Sequence, residues 1–112
     1  MGACVITPDT DPTFAPGGTY LSVGTLHLST SYASGGDTFT VGQFGFGTIL
    51  TALQLMQDGT STSGTFIPQV DRTNLKILAY VPAGSTGTTV LLAQYTGSDL
   101  SAVIFRYMAW GV

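Results

Sequence analysis

The sequence predicts an all-β fold, namely an antiparallel β-sandwich or jelly roll with an extended N-terminal arm. We expect about seven or eight short strands, because apolar runs rich in β-branched and aromatic residues recur roughly every 8–14 residues. Gly, Ser, Thr, Pro or Asp ends each run. No stretch combines a helical apolar period with a cap at its start, so we predict no helix.

The length of 112 residues fits a single folded domain. A chain of this size buries roughly two-thirds of its unfolded surface, so it can form a core without disulfides or metal ions. We expect residues 1–18 to form the arm and residues 19–112 to form the β-sandwich.

Residues 1–18 differ in composition from the rest of the chain. Pro8, Pro12 and Pro16 recur at spacings of four, which disfavours both a helix and a strand ladder. The segment therefore reads as an arm laid on a neighbouring subunit, with a frayed terminus as the alternative. The apolar residues expected to anchor the arm are Val5, Ile6 and Phe14.

The first half of the remaining chain predicts three strands. In 20–32, apolar residues alternate with polar ones, and Gly24 suggests a bend or bulge. The Gly-Gly-Asp turn at 35–37 leads into a short strand, with Asp37 placed to cap the turn. Residues 48–57 fit either a helix or a strand, and their Thr and Ile residues favour a strand. Between these strands, the Phe-Gly-Phe segment at 44–46 predicts two rings packed where backbones approach closely.

The second half predicts a hairpin and two further strands. Residues 65–70 and 75–81 form the hairpin around a turn at 71–74, where Asn74 tolerates the left-handed conformation. A further strand covers 88–95. The polar segments expected to be loops are 58–64, 82–87 and 96–99.

The last apolar run, residues 102–110, is the strand around which the chain is organised. One face carries Val103, Phe105, Tyr107 and Ala109. The other face carries Ala102, Ile104, Arg106, Met108 and Trp110. Because Arg106 is the only charged residue of the run, both faces are expected to be covered. We therefore predict a central strand of the sandwich, or one whose outer face is buried by a partner chain.

Charged residues make up 8% of the chain, against roughly 25% in typical domains. The three bases are Arg72, Lys76 and Arg106, and the net charge is −3, which argues against nucleic-acid binding. A polar but uncharged surface costs less to desolvate than a charged one, so it suits burial against protein. We therefore expect a component of an assembly, with an ordinary low-charge β domain as the alternative.

The sequence contains no combination of residues that indicates catalysis, a cofactor or a metal site. His27 is the only histidine and has no ligand or triad partner at a suitable spacing, and Cys4 excludes an internal disulfide. Cys4 itself reads as a small apolar residue rather than as a reactive thiol. No signal peptide is indicated, and no apolar run approaches the roughly 18 residues of a membrane span. We therefore expect a protein that is not an enzyme.

Three segments carry a resemblance to a known class of proteins. They are Gly35-Gly36-Asp37, the pattern Asn-x-Lys-x-x-x-Tyr at 74–80, and Asp99-Leu100-Ser101 before the last strand. Together, over roughly residues 20–112, the chain resembles small structural proteins of tailed-phage virions. The resemblance implies a capsid decoration, or cement, protein on the outer surface of the virion, made in the host cytoplasm. It also implies two partners, the major capsid protein and further copies of the chain, with a trimer favoured.

For such a protein we expect the arm residues Val5, Ile6 and Phe14 to contact the capsid, and Met108 and Trp110 to contact another subunit. A receptor- or glycan-binding module of a virion fibre is an alternative, and so is another tail or connector subunit. The aromatic residues that would serve as glycan-stacking platforms are Tyr20, Tyr32, Tyr95 and Trp110.

Overall fold

The computed structural model describes residues 2–15, 17–59, 65–86, 89–95 and 99–112. These residues contain nine strands and one short 3-10 helix. The strands are β1 (Val5–Pro8), β2 (Thr13–Ala15), β3 (Thr19–His27), β4 (Asp37–Thr38), β5 (Leu50–Gln57), β6 (Ile67–Asp71), β7 (Lys76–Thr86), β8 (Thr89–Gln94) and β9 (Ile104–Gly111). The 3-10 helix is Val41–Phe44.

The strands form two antiparallel sheets. The first has the order β1-β3-β9-β5, with β2 also paired to β3. The second has the order β4-β7-β6, with β8 also paired to β7. Apolar residues from both sheets share one buried cluster, so the predicted all-β antiparallel sandwich is confirmed.

Strand β9 lies in the middle of the first sheet, between β3 and β5. The predicted alternation is confirmed, because Phe105, Tyr107 and Ala109 are all buried in the core. On the opposite face, however, Ile104 and Met108 are 37% and 41% exposed. The expected cover over this outer face is therefore not supplied by the described residues of the chain.

The N-terminal segment differs from its prediction, because residues 2–15 are part of the sandwich. Strand β1 pairs with β3 from Val5 opposite His27 to Pro8 opposite Gly24. Strand β2 continues along the same edge of β3. The prolines permit this because β1 is an edge strand and Pro8 is its last residue, where a missing N–H is tolerated. No structural boundary therefore separates an arm from a domain within these residues, and Pro16 lies outside the described residues.

An unpredicted 3-10 helix, Val41–Phe44, delivers an aromatic ring to the core. Thr40 and Gln43 form a capping box at its start. Phe44 is fully buried, and its ring centroid lies 5.0 Å from that of Tyr107 and 5.7 Å from that of Phe39. Phe46 stacks on Phe44, which confirms that the two rings of the Phe-Gly-Phe segment pack together.

The predicted strand at 48–57 and the predicted hairpin are confirmed as β5 and the β6–β7 pair. In the hairpin turn the Asp71 carboxylate accepts hydrogen bonds from the Asn74 N–H and side chain. The residue with positive φ is Leu75, at 55°, rather than Asn74, because the four-residue turn lies at 72–75, one position later than expected.

The structure corrects one of the predicted loops and describes the other two only in part. The predicted loop at 82–87 is strand up to Thr86, since β7 continues and pairs with β8. Residues 60–64, 87–88 and 96–98 lie outside the described residues, and with them most of the predicted loops at 58–64 and 96–99.

Candidate interaction surface

The outward side of the first sheet is the most distinctive surface of the molecule. The strand register places Leu21 opposite Trp110 and Val23 opposite Met108 across the β3–β9 pair. We define the outer β9 face by its six apolar side chains, which are Leu21, Val23, Met56, Ile104, Met108 and Trp110.

The outer β9 face is open rather than packed. Met56, Ile104 and Met108 are exposed, whereas Leu21, Val23 and Trp110 are half-buried. A groove of about 260 Å³ runs along the face where β3, β9 and β5 adjoin, lined in part by Val23, Met56 and Met108. An apolar surface that continues across three adjacent strands is the kind of feature that marks a contact with another molecule.

One ion pair crosses the outer β9 face. Arg106 of β9 donates two hydrogen bonds to the Asp9 carboxylate, at 2.5 Å and 3.3 Å. Asp9 reaches Arg106 because it directly follows β1, whose pairing with β3 fixes its position. Hydrogen bonding to Arg106 lowers the pKa of Asp9, so both groups are charged at neutral pH and neutralise each other.

The structure separates the five residues predicted to form interfaces. Val5, Met108 and Trp110 all lie on the outward side of the first sheet, with Val5 beside His27 at its far end. Ile6 points to the opposite side and packs against the core, because neighbouring residues of a strand face opposite ways. Phe14 is 72% exposed at the rim, where its ring meets that of Tyr20 edge-on.

The four aromatic residues proposed as glycan platforms do not form one surface. Tyr32 is buried in the core, and Tyr95 packs against both Tyr32 and Phe66. Tyr20 and Trp110 belong to opposite faces of the first sheet, since Tyr20 is paired with Gly111 and Trp110 with Leu21. No two of the four therefore share a platform on which a sugar ring could stack.

The Tyr32 hydroxyl instead forms a hydrogen bond with the backbone of the second sheet. Strand β4 pairs with β7 only as far as Ile77, and β8 begins its pairing at Tyr80. In the gap between them, the Ala79 N–H donates a hydrogen bond of 2.9 Å to the Tyr32 hydroxyl. With the Gln94 amide oriented so that its oxygen also accepts from the Gly35 N–H, the hydroxyl donates a hydrogen bond of 3.0 Å to that oxygen.

We expect Tyr32→Phe to lower the free energy of unfolding by about 1–3 kcal/mol, because it leaves the buried Ala79 N–H without a partner. Urea denaturation followed by circular dichroism measures this change. The matched control is Tyr20→Phe, because the ring of Tyr20 lies exposed at the rim. The free energy of unfolding of this variant should stay within about 0.5 kcal/mol of the parent. Equal stabilities for the two variants would contradict the role assigned to the Tyr32 hydroxyl.

The reactive side-chain types are engaged in structural contacts. Cys4 is buried, and burial raises its pKa to about 12, so its thiol is protonated at neutral pH. The Nδ1 atom of His27 lies 3.0 Å from the Ser101 carbonyl oxygen. The buried Asp37 accepts hydrogen bonds from the Ser29 N–H and hydroxyl, and so ties the end of β3 to β4 rather than capping its own turn.

Within the described ranges, no three His, Cys, Asp or Glu side chains come together in a way that could hold a metal ion. The helix search over the same ranges finds none long and apolar enough to cross a membrane.

Comparisons with models of protein families, with curated proteins and with solved structures found no match to this chain.

Proposed function

We propose that this chain is a non-enzymatic structural protein of a tailed-phage virion. In this proposal it sits on the outer surface of the capsid, binds the major capsid protein across neighbouring capsomers as an oligomer, and so stabilises the shell. The observation that supports the proposal is the open, apolar outer β9 face on a chain with very few charges. The resemblance of the 35–37, 74–80 and 99–101 segments to virion structural proteins points the same way.

Large apolar side chains are exposed at several of the described positions. Ten of them are substantially exposed, among them Val5, Phe14 and Met56, in a chain whose charged residues make up only 8%. A free protein gains little from such a surface, because apolar groups in water favour association. In a protein that functions bound to other subunits, each of these apolar groups that is buried at an interface adds binding affinity.

The mechanism of a cement protein is the addition of interface area across a joint that would otherwise open. An interface of about 1,500 Å² with a few apolar anchors suffices for stable attachment. The antiparallel sandwich suits this role because its paired strands resist stretching between two attachment points. We assign the capsid contact to the rim around Phe14 and the subunit contact to the outer β9 face with Met108 and Trp110.

The assignment of Phe14 is tested by Phe14→Ser. Because Phe14 is 72% exposed, the substitution should leave the fold intact. It should reduce occupancy on purified heads at least about tenfold, which corresponds to a loss of roughly 1.4 kcal/mol of binding free energy. The matched control is Leu92→Ser, which removes an exposed apolar side chain from the second sheet. Occupancy is measured by co-sedimentation with heads of the source phage that lack the native protein.

Two measurements test the proposal as a whole. The protein should be present in purified particles, and electron microscopy should place it on the capsid shell. Its absence from particles would overturn the virion role, and a location on the tail or connector would overturn capsid decoration. Deleting residues 1–16 is not a suitable test, because it removes β1, β2 and the buried Cys4.

A further inference from the structure

We infer that the outer β9 face binds the same face of a second copy of this chain about a two-fold axis. The inference specifies the self-association within the proposed function and names the contact surface and its symmetry. It concerns the isolated chain, so it can be tested without capsids.

The charge distribution of the face favours a second copy over a charged partner. The formal charges on the face itself are Arg106 and Asp9, which neutralise each other. Asp58, which follows β5 at the rim, also acts on Arg106 and favours its charged form. A face with a neutral centre does not repel a copy of itself, and its central ion pair leaves no free charge there to recruit an acidic or basic partner.

The area of the face decides how strong the contact is. Nine residues of β3 span about 30 Å, and the outer β9 face together with the flanking edge formed by β1 and β2, which carries Val5 and Asp9, is four strands or about 19 Å wide, so the contact would cover roughly 570 Å² of one copy. Two copies would then bury about 1,100 Å², just above the roughly 1,000 Å² expected of a specific interface. We therefore expect a reversible dimer with a dissociation constant in the micromolar range rather than an obligate one.

The symmetry of the proposed dimer follows from the contact of one face with the same face of a second copy. Two sheets pack face to face about 10 Å apart, with side chains from both surfaces interdigitating. Met108 and Trp110 project from the central strand and supply the large side chains for such a contact. A surface that binds its own copy is isologous, and an isologous contact closes as a two-fold dimer. A trimer would require two different surfaces, so it cannot be built through this face alone.

Trp110 provides an intrinsic probe, because it is the only tryptophan of the chain and lies on the face in question. On dilution of the purified protein from about 200 μM to 0.2 μM, a range that brackets a micromolar dissociation constant, its emission should shift to the red as the face becomes hydrated. Sedimentation equilibrium over the same range should show a dimer converting to a monomer. A mass that stays monomeric at the highest concentration, or that reaches a trimer, would overturn the inference.

A pair of matched variants assigns the association to the face. Met108→Asp and Ile67→Asp place the same charge at positions that are 41% and 44% exposed, on the first and second sheets respectively. Met108→Asp should raise the dissociation constant at least about 30-fold, because the carboxylate would be buried without a partner. Ile67→Asp should leave the dissociation constant within about threefold of the parent.

A second variant guards against misfolding. Met56→Lys lies at the exposed edge of the same face and should also weaken the dimer while preserving the parent's circular dichroism spectrum and melting temperature. If a folded Met108→Asp dimerises normally, or if Ile67→Asp dissociates equally, the assignment to the outer β9 face is wrong. If the parent is monomeric and Met108→Asp instead loses binding to heads, the face belongs to the capsid contact. That result would remove the dimer but support the virion role.

Discussion

Phe44→Ala is expected to lower the free energy of unfolding by about 3–5 kcal/mol, the typical cost of removing a buried aromatic ring. Phe44 is fully buried and contacts three other rings, those of Phe39, Phe46 and Tyr107. The substitution leaves a cavity between the 3-10 helix and β9, and each neighbouring ring loses a packing partner. A domain of this size is stable by only about 5–15 kcal/mol, so the variant should approach the limit of folding.

The control for this prediction is Phe14→Ala, which removes the same side chain from a position that is 72% exposed. We expect its free energy of unfolding to stay within about 0.5 kcal/mol of the parent. Urea denaturation monitored by near-ultraviolet circular dichroism reports both stability and aromatic packing. Comparable losses in the two variants would show that the burial of Phe44 among three other rings does not determine its contribution to stability.

The last strand could be predicted from the sequence because it is an apolar run rich in β-branched and aromatic residues that ends at a glycine. The structure buries Phe105, Tyr107 and Ala109 on one side of it, as the period of two predicts. What the sequence could not show is whether the other face is covered. Mostly apolar residues on both sides indicate burial on both sides, but they do not say whether the cover comes from the same chain.

The N-terminal segment and the 3-10 helix were harder to predict for different reasons. Prolines such as those in residues 2–15 disfavour strand pairing in general, yet a proline at the end of an edge strand loses no ladder hydrogen bond. Val41–Phe44 is too short to show an apolar period. Its capping pair Thr40 and Gln43 is the one local signal that could have revealed it.

The candidate surface was only partly predictable for a similar reason. Met108 and Trp110 were identified from the alternation of the last strand. Leu21 and Val23 were missed, although they alternate with small residues that the structure places inside, such as the buried Ser22. The pairing of Asp9 with Arg106 joins residues 97 positions apart, and no local pattern connects them.

Gly24→Ala is expected to lower the free energy of unfolding by about 3 kcal/mol, at the upper end of the usual cost of overpacking. Gly24 lies in the middle of β3, and the β3–β9 register continues past it without the bulge that its composition suggested. An added Cβ would lie 2.3 Å from the Thr7 carbonyl oxygen, 2.7 Å from the Pro8 Cα atom and 2.9 Å from the Tyr107 ring. Two of these atoms are backbone, so the clash cannot be relieved by a rotamer change and β1 must move away from β3.

The comparison that isolates this effect is Gly42→Ala, where an added Cβ meets nothing within 4 Å. That variant should be as stable as the parent or gain up to about 1 kcal/mol, because alanine restricts the unfolded chain. Hydrogen exchange should further show faster exchange of the Asp9 N–H, which bonds to the Val23 carbonyl beside the substituted position, in Gly24→Ala alone. Since β1 also positions Asp9 against Arg106, loosening it should disturb the outer β9 face as well. Normal stability of Gly24→Ala would mean that the close approach of β1 to β3 is not required, and that the N-terminal strand is held mainly by other contacts.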